Sequence, residues 1–146
     1  MIEKTGDYLE EYLDPSVWYV VTTNGFVRND GTAVMGRGTA KQAADLHKDV
    51  PKILGDLLLA HGNVPFLLPY GFVSLPVKHH WKEKADLDLI DRSLRTMRVL
   101  WDTYKSEGRQ IYLPRPGCGN GGLSWYHVRP LVEAYFDDAI VWSLEE

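Results

Sequence analysis

The chain has 146 residues, 45% of them hydrophobic and 25% charged, and a formal net charge of −4. This length and balance suit one globular domain with one core, and we expect a single domain over residues 1–146. The acidic charge argues against an extended nucleic-acid groove, which usually carries an excess of Lys and Arg, but a small anionic ligand can still bind to backbone N–H groups.

The first half of the chain alternates strand and helix patterns. Residues 17–23 (VWYVVTT) are β-branched and aromatic, which predicts a buried strand. A loop with four glycines follows over residues 24–38, here called the first glycine loop. Helix-favouring sequence begins at Thr39, and Pro51 begins a second helix that ends near Gly62.

The second half repeats this alternation. Residues 64–77 predict two short strands around a turn, and residues 86–106 predict the longest helix, because their apolar positions recur at helical spacing. Asp86 is a good N-cap for that helix, and Gly108 a good stop. The remaining predicted elements are a strand over 110–114, the second glycine loop over 117–122, a helix over 126–136 and a final strand over 139–144.

Strands that alternate with helices indicate an α/β sandwich with a largely parallel sheet. In such sheets, ligands bind beyond the carboxyl ends of the strands. Both glycine loops follow a predicted strand and precede a helix. We therefore expect the two loops to lie side by side at one end of the sheet.

The two glycine loops differ in how strongly they indicate a ligand. The second (GCGNGG) has the composition of an anion-binding nest, but it matches neither a Walker loop nor the dinucleotide fingerprint. In the first, the MGRG segment at residues 35–38 would let a ligand approach the backbone. Ordinary surface-turn chemistry explains that segment as well.

The chain contains one cysteine, Cys118, which excludes an internal disulfide and a zinc site of the multi-cysteine kind. The acidic N-terminal segment lacks a hydrophobic signal core, and no apolar run approaches the length of a membrane span. We expect a soluble, cytoplasmic protein that has no membrane partner, no metal site and no cofactor.

Taken together, the segments resemble the macrodomain family along the whole chain. The resemblance implies a three-layer α/β/α sandwich with a mostly parallel mixed sheet. One segment, SLPVKHHWKEKADLDLIDRSL at residues 74–94, is most like the branch of DNA ADP-ribosyl hydrolase antitoxins and terminal ADP-ribose glycohydrolases. The other segments that carry the resemblance are IEKTGDYL (2–9), VVTTNG (20–25), MGRGTAKQ (35–42) and LPRPGCGNGGLSW (113–125).

Macrodomains bind ADP-ribose, and the resemblance implies a role for each matching residue. Asp7 matches the aspartate that accepts a hydrogen bond from the adenine amino group, and Asn24 matches the asparagine that faces the distal ribose. Each could instead serve as a turn residue. Trp125 could flank the distal ribose or anchor the next helix. The implied ligand-binding set is Asp7, Asn24, Gly36, Arg37, Gly38, Gly117, Cys118, Gly119, Asn120, Gly121 and Trp125.

The candidate catalytic residues are Lys78, His80 and Asn24. In the related branch, a lysine at the place of Lys78 attacks the anomeric carbon of the ribose, which requires the pKa of the amine to be depressed. A solvated lysine at a strand end is the alternative. His80 would share a strand face with Lys78 and could act as an acid or base. Trp81 is expected to pack in the core rather than against a ligand.

One position departs from the lysine-dependent glycohydrolases. They carry an aspartate in the second loop, where this chain has Gly121. The resemblance implies hydrolytic removal of ADP-ribose from modified DNA or protein. It leaves two alternatives open, namely a phosphatase acting on ADP-ribose 1''-phosphate through His80, and a binding module without turnover.

Overall fold

The computed structural model describes residues 1–9, 14–105 and 108–144. The strands are β1 (Ile2–Thr5), β2 (Val17–Asn24), β3 (Phe66–Leu67), β4 (Phe72–Lys78), β5 (Gln110–Pro114) and β6 (Ile140–Ser143). The helices are α1 (Gly38–Leu46), α2 (Val50–His61), α3 (Leu87–Tyr104) and α4 (Trp125–Phe136). No helix in the described ranges has both the length and the apolar character needed to cross a bilayer.

The six strands form one mixed sheet in the order β1-β6-β5-β2-β4-β3. Every neighbouring pair is parallel except β3 with β4. The antiparallel pair arises because β3 and β4 are joined by a tight turn, in which Tyr70 has a φ of 67°. The prediction of a mostly parallel mixed sheet is confirmed.

Helices cover both faces of this sheet. On β2, Trp18 and Val20 pack against α3 and α4, whereas Tyr19 and Val21 pack against α1 and α2. This alternation follows from the period of a strand, and it makes β2 apolar on both sides. Each large side chain that is fully buried here contributes roughly 1.5–3 kcal/mol. The expected α/β/α sandwich is confirmed.

The longest helix begins and ends for identifiable reasons. The Asp86 side chain accepts a hydrogen bond from the backbone N–H of Asp88 at 2.9 Å, which caps the start of α3. A hydrogen bond with the His79 ring is the main cause that lowers the pKa of the Asp86 carboxyl. The helix ends at Tyr104, before Gly108, and therefore stops slightly earlier than the sequence predicts.

The five parallel strands end at the same edge of the sheet. The segments that leave this edge are the stretch after β1, the first glycine loop after β2, the stretch after β4, the second glycine loop after β5 and the stretch after β6. All five contribute to one cleft. The topology therefore gathers segments that are far apart in the sequence.

Candidate functional site

The cleft at the carboxyl ends of the strands has a volume of about 1010 Å³. Five cationic side chains line it, against a single carboxylate among the described residues that do so. The cationic residues are Arg28, Arg37, Lys78, Lys82 and Arg115, and the carboxylate is that of Asp7. The cleft is thus locally basic on a chain whose formal net charge is −4, which favours an anionic ligand.

Most of the predicted site residues meet in this cleft. The exception is Trp125, which does not line it. The predicted residues that do are Asp7, Asn24, Gly36, Arg37, Gly38, Lys78, His80, Gly117, Cys118, Gly119, Asn120 and Gly121. The two glycine loops also come close together, since a Cβ added to Gly38 would lie 4.0 Å from the amide nitrogen of Asn120.

Asn24 holds the first glycine loop in shape. Its Nδ2 donates to the carbonyl of Val34 at 3.0 Å, and its Oδ1 accepts from the N–H of Phe26 at 3.0 Å. These bonds link the start of the loop to its far side. Asn24 therefore acts as a turn residue, which the sequence left open, and it also lines the cleft.

The first glycine loop ends at the N-terminus of α1. Arg37 occupies the N-cap position, but its side chain makes no capping hydrogen bond. The N–H groups of the first turn are therefore not satisfied by a side chain of the cap residue. A Cβ added to Gly36 would meet no atom within 4 Å, so this part of the backbone is open to the cleft.

The second glycine loop is packed much more tightly. Gly117 has a φ of +73°, and a Cβ there would lie 2.9 Å from the side chains of both Ala85 and Ile90. A Cβ on Gly121 would meet the Gly117 carbonyl and lie 2.7 Å from the Ala85 side chain. Only Gly119, at the tip, has nothing within 4 Å. Two of these glycines are thus required by packing.

Cys118 lies within the second glycine loop, and its side chain is half-buried against the core. Burial raises the pKa of its thiol to about 11, although the charge of Arg115 acts in the opposite direction. The thiol is therefore protonated near neutral pH and is a poor nucleophile. This agrees with a packing role for the side chain.

Lys78 ends β4 and reaches across the cleft. Its Nζ donates to the backbone carbonyl of Asn120 at 3.3 Å, which connects the strand end to the second glycine loop. Asn63 supports this strand end, because its Nδ2 donates to the carbonyl of Lys78 at 3.0 Å. His79 points away and pairs with the Asp86 carboxyl at 2.9 Å. Lys78 and His80 both line the cleft, although β4 ends at Lys78 and His80 therefore lies beyond the strand.

The His80 ring is held in place from two sides. Its Nδ1 accepts a hydrogen bond from the N–H of Lys82 at 3.1 Å. Its ring centre lies 4.6 Å from that of Phe26. Because Nδ1 accepts a hydrogen bond, the proton of the neutral imidazole belongs on Nε2.

Asp7 is fixed by two hydrogen bonds beyond the end of β1. Its Oδ1 accepts from the N–H of Leu9 at 2.9 Å, and its Oδ2 accepts from the side-chain amide of Gln42 at 2.8 Å. Gln42 lies on α1, so this contact links two segments of the cleft wall. Tyr8, beside it, donates to the Val20 carbonyl at 2.6 Å, and burial is the main cause that raises its pKa.

Trp125 begins α4 and anchors it to the edge of the sheet. Its Nε1 donates to the Glu3 carboxylate at 2.8 Å, while the Arg115 guanidinium lies 5.2 Å from the ring centre. The structure therefore places the indole against β1, outside the cleft lining. This is the anchoring role left open for Trp125. Trp81, by contrast, lines the cleft and is 44% exposed, so the expected core position is wrong.

Sequence reasoning missed Asn63 and Gln42. Asn63 stands in no motif, and Gln42 ends the MGRGTAKQ segment without a role assigned to it. Each acts through a contact that only the fold creates, with β4 and with Asp7 respectively. Asn63 has one signal in retrospect. A polar residue directly after the glycine that ends α2 is commonly a turn residue, and here its amide bonds to a distant strand instead.

The chain has the macrodomain fold. The chain resembles the macrodomain of Mycobacterium tuberculosis DarG with a TM-score of 0.77 and 23% identity, over 94% of this chain and 93% of that one. It resembles Thermosipho africanus DarTG, solved in complex with ADP-ribose, with a TM-score of 0.75 and 25% identity over 97% of this chain and 41% of that one. The macrodomain fold predicted from the sequence is confirmed.

The chain is also similar in sequence to curated proteins of the same branch. It is 38% identical over 65 residues to a DNA ADP-ribosyl transferase-DNA ADP-ribosyl glycohydrolase fusion protein of Thermosipho africanus. It is 25% identical over 76 residues to a DNA ADP-ribosyl glycohydrolase of Thermus aquaticus. The matched segments cover 44% and 52% of this chain but only 16% and 21% of those proteins. No protein-family model matches the chain.

Proposed function

We propose that this protein binds ADP-ribose in the cleft and removes it by hydrolysis from a modified macromolecule, with DNA as the favoured substrate. The observation that carries the proposal is the local charge of the cleft, which has five cationic side chains and one carboxylate on an acidic chain. A diphosphate ligand fits this charge. Curated relatives named as DNA ADP-ribosyl glycohydrolases support the choice of bond and macromolecule.

The diphosphate is proposed to lie between the N-terminus of α1 and the second glycine loop. The helix start has no side-chain cap, so its N–H groups and the positive end of its dipole favour an anion there. Gly36 and Gly119 supply the space, because neither has a neighbour within 4 Å of an added Cβ. In this proposal, backbone N–H groups hold the diphosphate, and no pair of arginine side chains is needed to bind it.

The two ends of the cleft match the two ends of the proposed ligand. The carboxyl ends of β1 and β4 are four strand spacings apart, or about 19 Å along the sheet. An extended dinucleotide-sized ligand can contact Asp7 beyond β1 and Lys78 at the end of β4 at the same time. The adenine amino group would donate to Asp7, and the distal ribose would lie beside Asn24 and Lys78.

Lys78 is the proposed nucleophile. Its Nζ attacks the anomeric carbon, and the bond from that carbon to the nucleobase breaks, with the electron pair leaving on the base. Opening of the sugar gives a Schiff base to Lys78. Water then adds to the imine carbon, and expulsion of the amine releases ADP-ribose and restores the lysine.

His80 is the proposed proton donor to the leaving base. The Lys82 N–H occupies Nδ1, so Nε2 carries the proton of the neutral ring. His80 and Lys78 face the same cleft, whereas the second glycine loop offers no carboxylate at Gly121. Positioning by the loops supplies the remaining acceleration, by holding the anomeric carbon near the amine.

A binding module without turnover is the second candidate, and Gly121 is the observation that favours it. A carboxylate-bearing side chain there would collide with the Gly117 carbonyl and with Ala85. The usual partner of the lysine is therefore absent for a structural reason, and this backbone cannot accept one without shifting. In that case ADP-ribose binds, but the modified DNA is not cleaved.

The test compares Lys78→Ala with Lys48→Ala, a lysine whose side chain is 81% exposed and lies outside the cleft lining. On an ADP-ribosylated single-stranded oligonucleotide, we expect Lys78→Ala to lose about a thousandfold in turnover. Calorimetry should show that the Kd of Lys78→Ala for ADP-ribose stays within about threefold of the parent protein's value, because a single partly exposed charged contact contributes little to binding. Lys48→Ala should match the parent protein in both assays.

Borohydride trapping tests the covalent step directly. Reduction during turnover should attach ADP-ribose to the peptide that contains Lys78, as detected by mass spectrometry, and Lys78→Ala should show no adduct. Hydrolysis that survives the substitution would reject the lysine mechanism. ADP-ribose binding without cleavage by the parent protein would favour the binding module, and phosphate release from ADP-ribose 1''-phosphate would favour the phosphatase.

A further inference from the structure

An exposed group of aromatic and basic side chains adjoins Lys78 at the β4 end of the cleft, and none of the roles described above uses it as a group. We call it the aromatic–basic ledge, and all of its members line the cleft. The His80 ring contacts Phe26 at 4.6 Å and Trp81 at 5.6 Å between ring centres. The Lys82 Nζ lies 5.1 Å from the centre of the Trp81 ring. The ledge consists of Phe26, Arg28, His80, Trp81 and Lys82.

The ledge presents an aromatic face and cationic groups that suit a flat, anionic partner. Trp81 is 44% exposed beside the cleft, and Arg28 also donates to the Ala33 carbonyl at 3.5 Å. Arg28 and Lys82 are exposed and carry positive charge. Of the acidic groups near in sequence, Glu83 is exposed, while the pKa of the Asp30 carboxyl is lowered mainly by hydrogen bonds from Thr32 and further by the charge of Arg28.

The backbone holds the ledge in a defined shape. The segment between Val77 and Asp86 closes on itself, because the Asp86 N–H donates to the Val77 carbonyl at 2.9 Å. The Ala85 N–H donates to the Gly121 carbonyl at 2.9 Å, which ties the segment to the second glycine loop. A rigid platform binds with a smaller entropy loss than a mobile loop.

We propose that the aromatic–basic ledge binds one or two nucleotides of a single DNA strand next to the ADP-ribosylated base. This inference rests on the proposed function, which places the ADP-ribose in the neighbouring cleft and its linked base at Lys78. An exposed indole offers a stacking surface for a base, and adjacent cations fit the flanking phosphates. Stacking and charge together are the combination that single-strand recognition uses.

The size of the ledge sets the extent of the contact. The two exposed cations of the ledge can neutralise about two phosphates. The net negative charge of the chain opposes contact with a longer stretch of DNA. The ledge therefore contacts only the nucleotides next to the ADP-ribosylated base and not a long strand. A duplex would have to open first, because a base inside a stacked helix cannot reach the indole.

The experiment measures affinity for three ligands with equilibrium titrations. The ligands are ADP-ribose, an ADP-ribosylated mononucleoside and an ADP-ribosylated single-stranded pentanucleotide, with Lys78→Ala as the common background so that no ligand is consumed. In this background, we expect the pentanucleotide to bind about tenfold more tightly than the mononucleoside. Trp81→Ala should abolish that ratio, whereas Tyr126→Ala, an aromatic side chain that is 83% exposed outside the cleft, should preserve it.

A charge series isolates the phosphate contacts. Arg28→Ala combined with Lys82→Ala should lower the slope of log affinity against log salt concentration by about 1.4 for the pentanucleotide. The matched control is Lys48→Ala combined with Arg92→Ala, which removes the same charge from exposed positions outside the cleft and should leave that slope unchanged.

The outcomes separate this inference from the proposed function. Equal affinity for the mononucleoside and pentanucleotide overturns the ledge even if ADP-ribose binds well. Tighter binding of the pentanucleotide that Trp81→Ala does not change also overturns it. So does an ADP-ribosylated peptide that binds as tightly as the pentanucleotide and loses this affinity in Trp81→Ala. No affinity for ADP-ribose rejects the proposed function, but a Trp81-dependent preference for the pentanucleotide would still support the ledge.

Discussion

The first glycine loop is open to the cleft at Gly36, whereas the second is packed against the fold at Gly117 and Gly121. An added Cβ meets nothing within 4 Å at Gly36, but it meets backbone or core atoms at the other two positions. Asn24 braces the first loop through a side chain, while the second is held by its own backbone and by Ala85. The two loops are thus both rich in glycine for different reasons, open space in the first and tight packing in the second.

This difference matters for interpreting glycine in a binding loop. A glycine that packing requires reports on the fold and says little about a ligand. A glycine with free space above it, such as Gly36 or Gly119, has no packing reason to lack a side chain. The open glycines therefore carry the functional information, and the packed ones keep the loop in position.

The largest predicted effect is on stability, at the packed glycine. Gly121→Ala should lower the free energy of unfolding by about 3 kcal/mol, because the new methyl group meets the Gly117 carbonyl and the Ala85 side chain. Gly119→Ala, in the same loop, should change it by less than about 0.5 kcal/mol. Urea unfolding monitored by tryptophan fluorescence measures both, and similar losses in the two variants would break the comparison.

A smaller loss is expected when the brace of the first glycine loop is removed. Asn24→Ala deletes hydrogen bonds to Phe26 and Val34 and should cost about 2 kcal/mol. Asn120→Ala, its counterpart in the second loop, has an exposed side chain and should cost almost nothing. The same urea titrations decide this, and an equally large cost at Asn120 would show that side chains hold both loops.

The open glycines should affect binding rather than folding. Gly36→Ala and Gly119→Ala should each weaken ADP-ribose binding about tenfold, because a methyl group would occupy the space proposed for the diphosphate. Thermal unfolding without ligand should be unchanged in both variants. Calorimetric titration provides the measurement, with Lys48→Ala, outside the cleft lining, as the control. Unaltered affinity in both variants would place the diphosphate elsewhere.

The smallest effect concerns the thiol inside the second glycine loop. The pKa of Cys118 is raised to about 11 in the folded protein, while an ordinary thiol ionises near 8.5. Between these values only the unfolded chain loses the proton, so stability should fall slightly as pH rises through this window. Alkylation of the folded protein by iodoacetamide should be slow at pH 8 and accelerate toward pH 11. Rapid labelling at pH 8, equal to that in urea, would contradict a buried thiol.

Much of the fold could be predicted because its signals are local. The apolar spacing of α3 and the cap at Asp86 are properties of one segment, and the structure places both as expected. The antiparallel strand was harder to define. Residues 64–77 predict two short strands, but β3 spans only Phe66–Leu67 and β4 is much longer. The length of β4 depends on its pairing with β2, and the local sequence of residues 64–77 carries no information about that pairing.

The site could be predicted only where a motif marks it. The two glycine loops and Lys78 stand in recognisable segments and meet in the cleft. The sequence left two roles open for Trp125 and placed Trp81 in the core, because the exposure of an indole depends on what packs over it. The supporting amides of Asn63 and Gln42 likewise depend on tertiary contacts.

The hydrogen bond from the Asp86 N–H to the Val77 carbonyl has a consequence for engineering. It closes residues 78–85 into a loop whose two ends are already adjacent, so the loop-closure entropy depends little on what lies between them. The residues between His80 and Ala85 could therefore be exchanged for a different length or composition while His80, the sheet and both glycine loops stay in place. Grafting in this segment offers a route to test which modified polymer the proposed activity accepts.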